Sequence, residues 1–189
     1  MTKSQTAPRR RTPRGQGKAR LVAIAGDLFV ERGIGGTSLQ SIADRLGVTK
    51  AAVYHQFATK DDIVLAVAAP VIERLRAIAD TAEPLEGEEA RIATIGGLVD
   101  LALQERSTAA LMRRDPAMAR LLEAHDPYLE QITRIDALLL GPNPTDELRI
   151  ALAFAGAGIN SAGDLPGLDQ PAATIRAGLV AAMTRALTP

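Results

Sequence analysis

Between residues 37 and 60 the chain gathers hydroxyls, side-chain amides, a phenol, an imidazole and two ammonium groups on short segments parted by turns. The residues of interest are Thr37, Gln40, Thr49, Lys50, Ala51, Ala52, Tyr54, His55 and Lys60. Such groups donate to phosphate oxygens and read base edges. Lys50 can reach a guanine edge or a phosphate, and Thr49 can donate to a phosphate or cap a helix. Tyr54 offers a hydroxyl at backbone distance, and Lys60 is placed as a phosphate clamp. Thr37 and Gln40 open the preceding helix, the one that would cross the DNA backbone. Each residue also has a plainer reading. Thr37 and Thr49 could serve as caps alone, Tyr54 and Phe57 as core aromatics, and His55 and Lys60 as ordinary surface residues. The constellation carries the interface reading, and no single member does.

Other chemistries lack their parts. Cysteine is absent, which removes disulfides, thiolate catalysis and cysteine zinc sites together. His55 and His125 are too far apart in sequence to suggest a metal centre. Gly33-Ile34-Gly35-Gly36-Thr37-Ser38 lacks the third glycine of a dinucleotide fingerprint, and Gly17-Lys18 precedes Ala19 instead of Ser or Thr. No zinc-protease motif, triad signature or acid cluster is present, so neither an enzyme nor a cofactor is expected. Aromatics make up 3% of residues, too few for a single-strand stacking platform. The longest apolar runs, 63–72 and 150–159, fall short of the roughly 20 residues of a membrane helix. The N-terminus carries charge without an apolar h-region. A cytoplasmic protein with no membrane role is expected.

The elements that must position the polar residues are helical. Residues 1–17 carry Lys3, Arg9, Arg10, Arg11 and Arg14 among prolines and glycines, and read as a flexible basic arm that could reach phosphates. Leu21, Ile24, Ala25, Leu28 and Phe29 mark one face of a first helix, which Gly33 would stop. Thr37 and Gln40 fit a capping box for a short second helix whose apolar side is Leu39, Ile42, Ala43 and Leu46. Gly47 ends it. Only Val48 and Thr49 separate that stop from a third helical stretch over 50–57. Ile42, Leu46, Val48 and Val53 can pack between the two. This is the spacing of a helix-turn-helix. Thr59 then caps a fourth helix to about residue 81, with Pro70 expected to kink or break it, either as a lever for a ligand switch or as a bare structural kink. Further helices are predicted over 88–106, 117–124, 128–140, 145–162 and 171–187. Asp115 and Asp126 each precede a proline as N-caps. No strand is predicted.

Charge supports a division of labour. Residues 1–60 hold eleven Lys or Arg against three Asp or Glu, whereas residues 61–189 hold eleven against nineteen. The basic part suits a polyanion and the acidic part would be repelled by one.

The stretch from Thr37 to Asp61 resembles the DNA-binding signature of the tetracycline-repressor (TetR) family. The match lies at Ile42, Ala43, Gly47, Val48, Thr49, Tyr54, Phe57, Lys60 and Asp61, over about 45 residues once 21–33 is counted as the first helix. Ala51 stands where members commonly carry Gly, Val53 where Leu is usual, and Ile34 where an aromatic is frequent. The resemblance implies an all-α protein of about nine helices. Its three-helix helix-turn-helix DNA-binding domain would span 18–62, and a larger helical ligand-binding and dimerisation domain 63–189. It further implies a dimeric regulator, usually a repressor, on a near-palindromic double-stranded operator, released by a small-molecule effector.

The C-terminal residues add their own signals. The segment 150–159 is apolar nearly all round, and Ile175, Leu179, Met183 and Leu187 edge the last helix. A homodimer through 145–162 and 171–187 follows, with burial inside one subunit as the alternative. A pocket lined by Leu, Ile, Val, Met and Ala would prefer an apolar or amphipathic effector. Arg91, Arg106, Arg113 or Arg114 could receive an anionic group. A helical small-molecule-binding protein that does not bind DNA, or a regulator that activates, is the rival reading.

Overall fold

In the computed structural model the described residues are 16–162 and 171–188, save the side chains of residues 106 and 160–162. They form ten helices with no strand among the described residues. These are α1 (Gln16–Arg32), α2 (Leu39–Leu46), α3 (Lys50–Tyr54), α4 (Lys60–Ala82) and α5 (Gly87–Gln104), then α6 (Arg106–Arg114), α7 (Pro116–Glu123), α8 (Asp126–Leu140), α9 (Asp146–Ala162) and α10 (Ala172–Leu187). The all-α expectation holds. The helix over 88–106 ends early, because Glu105 leaves helical geometry (φ −105°, ψ 35°), and an additional helix, α6, starts there. The basic residues of the expected arm, Lys3 to Arg14, lie outside the described residues, and its last two positions, Gln16 and Gly17, belong to α1.

Local chemistry sets most boundaries. Ser38 caps α2 reciprocally with Ser41, each hydroxyl serving the other's backbone N–H. Thr59 and Asp62 do the same for α4. Asp115 accepts from the amides of Ala117 and Met118 and starts α7, with Pro116 as its first residue. Asp126 departs from expectation: it is the first residue of α8, after His125. Pro70 does not divide α4, which runs 23 residues without interruption. The proline lies on the exposed side, where the carbonyl it deprives of a donor can turn to water.

Three apolar clusters organise the described residues, the smallest formed by Val71 and Leu75 of α4 with Leu101 of α5. The first joins Leu21, Leu28 and Phe29 of α1, Ile42 and Ala43 of α2, Val53 of α3 and Ile63, Val64 and Val67 of α4. It also takes in Leu111 of α6 and Met118 and Leu122 of α7, so this core does not stop at residue 62. The second joins Ile95 and Val99 of α5, Ile135 and Leu139 of α8, Ile159 of α9 and Met183 and Leu187 of α10. Gly97 lets α5 lie close on α4, since a Cβ there would meet Ile78 at 2.8 Å. Arg134 of α8 ties down the end of α4 through Asp80 (2.6 Å) and Glu83 (2.7 Å). No described helix is long and apolar enough to cross a membrane.

Candidate nucleic-acid interface

The turn between α2 and α3 follows from one glycine. Gly47 sits in the left-handed region at φ 73°, where a side chain would be strained, and the Val48 amide returns to the Ala43 carbonyl at 3.0 Å. Thr49 then caps α3, its hydroxyl accepting from the Ala52 amide at 3.2 Å. Val53 is fully buried and anchors α3 to the core below. Thr49, Lys50, Ala51, Ala52, Tyr54 and His55 are all exposed around that anchor. The Lys50 ammonium lies 5.7 Å from the centre of the Tyr54 ring, one helical turn on, so the cation and the phenol form one outward unit. Phe57 is buried, as its core reading expects, with the Lys18 ammonium 4.8 Å from its ring centre. Val48, expected between the helices, is exposed.

Three expected contact residues are otherwise engaged. Thr37 is 2% exposed, and its hydroxyl points at the carbonyls of Gly33 (2.9 Å) and Leu28 (3.2 Å). It neither caps α2, a task taken by Ser38, nor faces outward. The Lys60 ammonium donates to the carbonyls of Ile34 (2.6 Å) and Thr37 (2.9 Å), which corrects the phosphate-clamp expectation: the cation is spent on the protein's own turn. Gln40 is exposed, with its amide donated to Asp44 one turn along at 2.7 Å.

The same turn has a third brace that local sequence does not signal. Asp115, 81 residues away, accepts from the Ile34 amide at 2.8 Å through one carboxylate oxygen while the other caps α7. Burial alone would raise its carboxyl. The amides of Ile34, Ala117 and Met118 and the charge of Lys60 outweigh burial and hold it below the usual carboxylate range. The Gly33–Thr37 turn is thus fixed from α4 by Lys60 and from the α6–α7 junction by Asp115. The Ser38-x-x-Ser41 spacing was readable in the sequence; the reach of Asp115 was not.

A concave site of another kind lies in the body. A cavity of about 280 Å³ opens between α4, α5, α6, α8, α9 and α10, walled by apolar residues such as Leu75, Leu101, Met112 and Met183, with Tyr128 and Arg113. Burial, and secondarily the charge of Asp136, pushes the Tyr128 phenol up. The other arginines considered for an anion are placed differently. Arg91 pairs with Glu88 and the Leu139 carbonyl, and Arg114 has a partner of its own. The Arg106 side chain is outside the description. No group of three or more potential metal ligands occurs among the described residues.

Comparison with known proteins agrees with this geometry. The profile of bacterial regulatory proteins of the tetR family matches residues 21–67, the span from α1 into α4. The HTH-type transcriptional repressor Rv3405c of Mycobacterium tuberculosis is 32% identical over 130 residues, covering 67% of this chain and 69% of the relative. The HTH-type transcriptional activator FasR of Mycolicibacterium smegmatis is 39% identical over 57 residues, 30% of this chain and 26% of its own. In fold, the ketosteroid transcriptional regulator KstR2 of M. tuberculosis superposes with a TM-score of 0.67 at 15% identity, covering 93% of this chain and 95% of that one. With a helix-turn-helix built on Gly47 and Thr49 and a relative matched along two thirds of its length, the chain belongs to the TetR family of DNA-binding transcriptional regulators.

Proposed function

We propose that the chain works in the cytoplasm as a homodimeric repressor, released from a near-palindromic double-stranded operator by a small apolar or amphipathic effector. Residues 18–62 read DNA, the arm over 1–17 adds phosphate contacts, and residues 63–189 bind the effector and dimerise. The observation that carries this reading is the exposed rim of α3 around buried Val53. Lys50 and Tyr54 meet base edges or phosphates there, with Thr49, Ala51, Ala52 and His55 beside them, and Gln40 approaches the backbone. Two such segments in a dimer would enter successive major grooves about 34–36 Å apart. Thr37 and Lys60 act from beneath, holding the turn that orients α2.

Dimerisation through α9 and α10 is supported by what one chain leaves uncovered. Ile150 is 58% exposed and Phe154 78%, one turn apart on α9. Gly158 and Gly178 have open space where a Cβ would stand, room for a partner's backbone. A side chain as large as Phe154 left in water is costly, and a symmetric partner removes the cost.

The test is retardation of duplex DNA flanking the protein's own gene, with footprinting of the bound stretch. Protection of two half-sites one helical turn apart, and a rise in reporter output when the gene is deleted, are expected. Equal affinity for that duplex and for random DNA at about 0.15 M salt would overturn the proposal.

A further inference from the structure

We propose that the body cavity takes a compact monocarboxylate with an apolar ring or chain, its carboxylate received by Arg113. The inference rests on the effector-binding reading above and names the ligand class.

The cavity wall is apolar on five of its bounding helices apart from the Tyr128 phenol. Among the described lining residues Arg113 is the one charged side chain, and no acid is among them, Asp136 lying behind the wall near Tyr128. Its guanidinium makes no ion pair or hydrogen bond among the described residues, although Arg91, Arg134 and Arg176 of the same body all pair with acids. A partly exposed guanidinium with no counter-charge among the described residues leaves its donors at the apolar wall open to an incoming anion. A guanidinium matches a carboxylate through two parallel hydrogen bonds. Tyr128 stands in the same wall with its proton firmly held, so it offers a second donor.

Volume bounds the apolar part. The cavity is roughly twice the ~150 Å³ void that encloses one benzene ring. Two fused rings, or a chain of about ten carbons, would fill it.

Position gives the ligand a consequence. Arg113 and Met112 line the cavity at the end of α6, and Asp115, two residues on, holds the Ile34 amide above α2. An anion drawn to Arg113 acts on the helix end that braces the DNA-reading unit.

The experiment is calorimetric titration of the full-length protein, without DNA, with 2-naphthoate, its neutral amide 2-naphthamide and the cation 2-naphthylmethylammonium. Wild type is expected to bind the carboxylate at least tenfold more tightly than the amide, and the ammonium least. Arg113→Gln should bring carboxylate and amide within about twofold of each other, chiefly by weakening the carboxylate, while leaving the melting temperature unchanged. Arg113→Lys, which keeps the charge and loses the planar fork, should fall between. Leu101→Phe, which fills the wall, should weaken all three. Equal binding of carboxylate and amide by wild type, retention of the preference in Arg113→Gln, or no heat from any probe at millimolar concentration would overturn the proposal. A parallel gel shift separates the two readings. Loss of DNA recognition with intact carboxylate preference would sink the repressor proposal alone, and DNA release by a neutral or cationic compound alone would sink this one.

Discussion

The α1–α3 unit and the α9–α10 pair solve opposite problems. The first closes its apolar residues into a core and turns polar, donor-rich atoms outward on a helix of five residues. The second keeps part of its apolar surface, Ile150 and Phe154, facing out on a helix of seventeen. One surface is suited to a charged partner whose attraction salt weakens, the other to a second copy of itself whose attraction salt barely touches. The charge division reinforces this, since the basic residues in excess lie before residue 61 and the acidic ones after it. Under the function proposed above, recognition and assembly would be kept apart in chemistry as well as in space.

The contrast can be broken at either end. The largest effect is expected from Phe154→Glu, which puts a charge where the apolar face is most exposed: the dimer should dissociate at least a hundredfold more readily in sedimentation equilibrium, at low and high salt alike. An unchanged mass would show that this face is not the interface. Asp115→Ala comes next, removing a cap and a charged hydrogen bond together, a loss of about 2–3 kcal/mol in urea unfolding. Asp115→Asn retains one acceptor oxygen for two tasks and should fall between. Because the folded carboxyl is held below its unfolded value, its contribution is full above about pH 4 and fades as pH falls through the lower folded value, so wild type and Asp115→Ala should converge in stability in acid. Lys50→Ala should weaken operator binding by about 1–3 kcal/mol and lower the salt slope by roughly one contact. Thr37→Val should cost about 1–2 kcal/mol in stability and leave that salt slope unchanged, which separates a residue acting from beneath from one acting on DNA. A lower slope in Thr37→Val would return it to the interface.

What could be read beforehand is what is written locally. Gly47 and Thr49 announce the turn and the start of α3 within three residues, and both fall in the structure where their chemistry puts them. Phe57 reads as core from its apolar ring and is core. The misreadings share a cause. Thr37 looked like a cap because Gln40 stands three residues on, yet its hydroxyl was taken by the end of α1. Lys60 looked free because its acceptors lie 23 and 26 residues upstream. Asp115 was recognised as a cap, and only the fold reveals its second oxygen at Ile34. Helix α6 went unseen because Ser107 and Thr108 can satisfy their backbone in other ways, and what holds it is burial of Leu111 against a core built from α1–α4. Side chains that reach across the fold carry no mark of it in their own neighbourhood.

The grip of Lys60 on two carbonyls gives the turn a chemical signature. Every side-chain amine of the chain lies within its first sixty residues, at Lys3, Lys18, Lys50 and Lys60. An acylating reagent therefore maps the N-terminal unit alone. Lys18 and Lys50, open to water, should label readily. Lys60 should label slowly while Ile34 and Thr37 hold its ammonium, and faster whenever that strap slackens. One nitrogen thus serves as a built-in gauge of how tautly the reading head is mounted.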